Sequence, residues 1–208
     1  MTPKTDGSLW RRLFSFLSLP ILSLLFLLCE PTGYALFLLA AVALHETGHL
    51  FAFLVCGEPL PRFSGQGIGL LLTPRAPLLS YPKEIFVCAA GPAFNLLAAL
   101  ALLPALQHGQ AQDANFCFLV LHLLTALLNL LPIDGFDGGR ILYALLAWLA
   151  GPRLAAFLSS AASLLCVLFL YFSGIFLFFL ANSGPQLLLF SLLLLLAETK
   201  RRPGLFSS

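Results

Sequence analysis

The chain has 208 residues, 60% of them hydrophobic and 10% charged, with a mean hydropathy of +0.97. Such a composition cannot supply the polar shell of a soluble globular domain and predicts an integral membrane protein. Its 11 basic and 9 acidic residues leave a net charge of +2, no cationic reservoir for nucleic acid, and that class of partner is excluded.

Apolar runs close to the roughly 20 residues that cross a bilayer fall at 13–29, 34–56, 84–106, 115–133, 154–180 and 185–198. They predict an all-α polytopic membrane protein with about six transmembrane helices, folded as one membrane-embedded domain over 1–208. Lys4, Arg11 and Arg12 precede the first run as in a signal peptide. Cys29-Glu30-Pro31 stands where cleavage needs small residues, so the run is read as retained. Between the second and third runs, prolines border a stretch with glycines at 65, 67 and 69, a pattern that suits a strand-like or re-entrant hairpin over 62–74 or a flexible connection. The fifth run is long enough to tilt or to break near Ser173-Gly174. With the N-terminus in the cytoplasm, all 11 basic residues fall on the cytoplasmic side, which places both termini there and the chain in the cell membrane. Cys29, Cys56, Cys88, Cys117 and Cys166 are odd in number and lack C-x-x-C spacing, so they read as small apolar residues in packed helices.

Charge is scarcest inside these runs. From Pro31 to Gly57 the only formal charge is Glu46, at mid-span between His45 and His49. A carboxylate there costs about 2.5–3.5 kcal/mol on insertion scales and marks a functional site. The residues spell H-E-x-x-H. On a helix, positions i and i+4 share a face, so both imidazoles can reach one metal ion, with Glu46 beside them to act on a water. Accidental occurrence of this pattern at the chain's His and Glu frequencies is expected roughly 0.002 times. Imidazole suits zinc, one ion per chain, and zinc lowers the pKa of a coordinated water from about 15.7 to about 7. Glu46 can then accept the proton and deliver it to a leaving amine.

A catalytic zinc usually takes three protein ligands. The run from Asn129 to Gly139 offers Asp134 and Asp137, after Pro132 and among glycines that break the helix, and on chemistry alone either carboxylate could serve.

These residues resemble the site-2 protease group of intramembrane zinc metalloproteases. That family pairs H-E-x-x-H with N-x-x-P-x-x-x-x-D-G, matched by Asn129, Pro132, Asp137 and Gly138, and with G-P-x-x-N, matched by Gly91, Pro92 and Asn95. The resemblance organises a catalytic core over about 34–140, with 13–29, 154–180 and 185–198 as accessory helices. It implies that His45, His49 and Asp137 are the metal ligands and Glu46 the catalytic base. Asn-Leu-Leu-Pro followed by Asp-Gly-Gly-Arg looks most like the sporulation branch, which includes a protease that processes a membrane-associated pro-sigma factor. The C-terminal CBS domain common in that branch is not expected after Arg202, nor is a PDZ domain.

Other polar residues admit two readings each. Asn95 or Asn129 could steady a developing oxyanion, or form helix-to-helix hydrogen bonds. His122, seven residues before Asn129 and on a similar face, could support the site or be a satisfied interior histidine. His108 reads as solvated, and Thr47 and Gly48 as packing residues. His45 lies about eleven residues from either end of its run, so the metal would sit roughly 15 Å deep and water must reach it through a polar cavity. A substrate helix must unwind there, and the resemblance implies that the 62–74 hairpin holds it as an added strand.

The expected activity is zinc-dependent endopeptidase cleavage in or near a transmembrane segment of a membrane-associated protein. The bilayer, such substrates and regulatory membrane proteins are the expected partners. The rivals are a non-proteolytic zinc-binding scaffold or transporter on the same core, and a zinc hydrolase of lipids or small molecules. Transport would need polar residues along several spans, whereas the first, fifth and sixth are nearly pure Leu, Phe and Ala.

Overall fold

The computed structural model describes residues 34–58, 62–64, 71–73, 79–107, 112–180 and 184–201. The run predicted at 13–29 and Gly65, Gly67 and Gly69 lie outside the described residues. In chain order the elements are α1 (Tyr34–Val55), β1 (Arg62–Ser64), β2 (Leu71–Thr73), α2 (Tyr81–Gln107), α3 (Gln112–Asn129), α4 (Asp137–Ala150), α5 (Pro152–Leu180) and α6 (Gln186–Arg201). The architecture is the all-α polytopic membrane type that the hydropathy implied. Leu36–Val55, Tyr81–Pro104 and Pro152–Leu180 are each long and apolar enough to cross a bilayer, and Asp113–Asn129 and Gln186–Glu198 are shorter apolar helices. Phe157, Leu165, Phe169, Phe172 and Phe179 of α5 project outward, which suits a lipid surface.

The described residues form two compact units, the first of residues up to 79 with 93–126, the second of 80–92 with 127 onward. In the first, α1 ends at Gly57, whose φ of +66° suits glycine. Gly57 N–H donates to Leu54 O and Glu58 N–H to Phe53 O, the paired bonds of a Schellman cap. The hairpin takes the strand-like form: Arg62 pairs with Thr73, Phe63 with Leu72 and Ser64 with Leu71, antiparallel. Ala41, Ala52, Phe53, Ala99, Leu119 and Ala126 are buried, and the Phe37 and Phe118 rings meet edge to face at 5.6 Å.

In the second unit, α2 opens after Ser80, whose carbonyl accepts from Glu84 N–H at 2.9 Å. Pro82 sits in the first turn, where its missing N–H costs nothing, and the Glu84 carboxylate faces the positive end of the helix dipole. One predicted boundary is corrected here. The predicted run to 133 stops at Asn129, because Pro132 cannot continue the ladder and disfavours α geometry at the residue before it. Residues 137–150, which fall between the fourth and fifth apolar runs, form α4. Of the two readings of the long fifth run, a tilt or a break near Ser173-Gly174, there is no break: α5 runs continuously from Pro152 to Leu180. Gly174 instead admits α6, since a Cβ there would lie 2.9 Å from Leu188 Cα. Ala155, Ser159, Ser163 and Val167, four residues apart, form the buried stripe of α5.

Candidate metal centre

His45 and His49 stand one turn apart on α1, and both are buried. Their Nε2 atoms converge to 3.1 Å, with the rings nearly perpendicular at 84°. The i, i+4 geometry that the sequence implied is thus realised with the same nitrogen of each ring turned to a common point. Glu46 is half-buried beside them and engaged by a neighbour, and Gly48 is buried. Thr47 is exposed and folds its hydroxyl back onto Ala43 O at 2.7 Å, which satisfies it within its own helix.

Two further side chains of the same unit adjoin this pair. Asn95 of α2 is fully buried, and its Nδ2 donates to His45 Nδ1 at 3.4 Å. His122 of α3, equally buried, donates from Nδ1 to Asn95 Oδ1 at 2.9 Å. The Phe118 ring packs on His122 with centroids 4.3 Å apart, and His122 Nε2 has no hydrogen-bond partner among the described residues. With the amide in this orientation Nδ1 of His45 accepts, and the two Nε2 atoms share a hydrogen bond. His122 is therefore connected to the histidine pair through Asn95. The spacing to Asn129 was an uninformative signal; the G-P-x-x-N asparagine was the informative one.

In the second unit, Asp137 is the first residue of α4 and is buried. Phe136 supplies no side-chain cap, so Asp137 stands at the helix's positive end in the first turn. The preceding turn is tightly built. Pro132 follows Leu131, Ile133 N–H donates to Leu131 O at 2.7 Å, and Phe136 N–H donates to Ile133 O at 3.0 Å across Gly135, at φ +98°. A Cβ on Gly138 would lie 2.1 Å from Leu130 O, and one on Gly139 would lie 2.2 Å from Ile133 O, so only glycine fits at either position. Arg140, one turn into α4, holds Glu84 of α2 through Nε at 3.1 Å and Nη2 at 2.5 Å. Asn129 closes α3, half-buried and engaged by a neighbour, and His108 lies outside the described residues.

The chain is similar to the solved site-2 protease from Methanocaldococcus jannaschii, with a TM-score of 0.60, 20% sequence identity, and coverage of 90% of this chain and 87% of that one. At that identity the likeness establishes a shared fold, that of a polytopic membrane protein. No family model and no curated protein sequence matches the chain.

Proposed function

We propose that the chain is a zinc-dependent endopeptidase that cleaves a peptide bond in or near a transmembrane segment of a membrane-associated protein. The observation that carries this reading is the convergence of His45 and His49 Nε2 beside a half-buried carboxylate inside an apolar helix. A half-buried acid between two buried histidines is costly in a bilayer unless a cation compensates for it. The sequence resemblance assigns His45, His49 and Asp137 as ligands; each is buried, and two imidazoles and a carboxylate are a donor set that fits zinc. Zinc bound there would supply Lewis-acid activation of water and of the scissile carbonyl.

The protein's own groups do the rest. Glu46 takes the proton from the attacking water and returns it to the departing amine. For Nε2 of His45 to serve as a ligand, its proton must sit on Nδ1. Turning the Asn95 amide through 180° presents Oδ1 to accept from that Nδ1–H and lets Nδ2 donate to His122 Nδ1. Both ends of the Asn95 amide then orient histidines, which leaves Asn129 as the asparagine for the oxyanion. The β1–β2 hairpin supplies a strand edge for unwound substrate. Both termini face the cytoplasm, and the sequence resemblance favours a regulated precursor such as a pro-sigma factor as substrate. Co-expression with membrane-tethered candidate substrates tests the reading: cleavage by the wild type, lost in Glu46→Gln, supports it. A chain that binds zinc yet cleaves none of them supports the scaffold or transporter reading.

A further inference from the structure

Glu198 lies near the end of α6, after the run Leu192–Leu196, and is buried despite its charge. Its Oε1 accepts a hydrogen bond from the hydroxyl of Ser163, at the centre of the buried stripe of α5. Ser163 accepts in turn from the backbone N–H of Asp134 at 2.8 Å. The serine hydroxyl thus has its single proton committed to the carboxylate and a lone pair committed to the turn that precedes α4. A backbone N–H in an irregular segment of a membrane protein needs such a partner, and here two helices cooperate to provide it.

That turn cannot move independently of Asp137. Gly138 and Gly139 lie against the carbonyls of Leu130 and Ile133 with no space for a methyl group, so a shift of the turn carries into the first turn of α4. We propose that Glu198 and Ser163 are positioning residues that, through the Asp134 amide, fix the direction in which Asp137 presents its carboxylate. The proposal rests on the reading of Asp137 as a metal ligand. A packing role alone does not require an acceptor that holds the serine proton away from Asp134. Without one, the hydroxyl can turn back to its own helix's carbonyl four residues earlier and lose its alignment to the turn.

The test is zinc affinity of the detergent-solubilised full chain, measured by chelator competition, with circular dichroism and thermal melting alongside. Ser163→Ala and Glu198→Ala are expected to weaken zinc binding by about 10–100-fold, the usual effect of removing a support behind a metal ligand, with helical content unchanged. Glu198→Gln and Ser163→Thr keep the acceptor and the hydroxyl and are expected to retain wild-type affinity. Added to Asp137→Ala, Ser163→Ala is expected to cause no further loss. Wild-type affinity in Ser163→Ala and Glu198→Ala, with Asp137→Ala weakened, overturns the positioning role and leaves the ligand reading standing. A further loss on the Asp137→Ala background overturns it too, in favour of a general structural role. Wild-type affinity in Asp137→Ala itself overturns the ligand reading instead. Should Glu198→Ala fail to fold, Ser163→Ala and Glu198→Gln decide the matter.

Discussion

His122 Nδ1 and Asn95 Oδ1 are 2.9 Å apart, which joins two fully buried side chains that lie 27 residues apart in sequence. Because the other end of the Asn95 amide reaches His45 Nδ1, the pair controls which nitrogen of His45 carries its proton. His122→Phe keeps the volume and the stacking on Phe118 but removes the partner that fixes the amide. It is expected to weaken zinc binding by about 10–100-fold, and Asn95→Leu at least as much. Chelator competition on the purified proteins measures both; wild-type affinity in both would show that His45 is oriented without them.

Gly138 and Gly139 face backbone carbonyls, whereas Gly57 and Gly151 have open space and positive φ. The two kinds of glycine should therefore fail differently. Gly138→Ala and Gly139→Ala overpack the turn and are expected to cost about 1–3 kcal/mol or more and to reduce zinc affinity, since they displace Asp137. Gly57→Ala is expected to cost about 1–2 kcal/mol through backbone strain alone, with affinity unchanged. Thermal melting in detergent together with metal titration separates the two.

The Arg140 to Glu84 pair ties the first turns of α4 and α2, with both side chains only partly exposed. Glu84→Gln is expected to destabilise the second unit by about 1–3 kcal/mol, because Arg140 loses its charged partner in a half-buried place. A double-mutant cycle with Arg140→Gln should return a coupling near 1 kcal/mol or above. Zero coupling would reduce the pair to a surface contact.

The features readable in the sequence were those with local physical signatures. His45 and His49 sit within one turn, so helical period alone fixes their shared face, and the apolar runs mark α1, α2, α3, α5 and α6 to within a few residues. What escaped depends on tertiary contact. The helix α4 begins with Asp137-Gly138-Gly139, a poor helix-forming start chosen because no side chain fits against Leu130 and Ile133, and its composition reads as a loop. Gly174 marked a place where the long run could break, one of two readings, and its contact role in the approach of α6 was not legible. His122 looked aligned with Asn129 along one helix, while its hydrogen bond goes across to α2. Glu198 is the last residue of the sixth apolar run, and only the fold brings it to Ser163.

Removal of metal follows directly from the proposed chemistry. Dialysis against a strong chelator is expected to abolish cleavage and stoichiometric zinc to restore it. Helical content should be kept throughout, since the apolar helices rather than the ion hold the fold. Activity that survives exhaustive chelation would remove zinc from the mechanism.

The most direct test of the central claim is the cleavage rate of purified Glu46→Gln against a substrate that the wild type cuts, with zinc content measured on the same samples. Loss of the proton acceptor should lower kcat by at least about 100-fold while the protein still binds one zinc through His45, His49 and Asp137. Cleavage at the wild-type rate by zinc-loaded Glu46→Gln would contradict the assignment of Glu46 as the base.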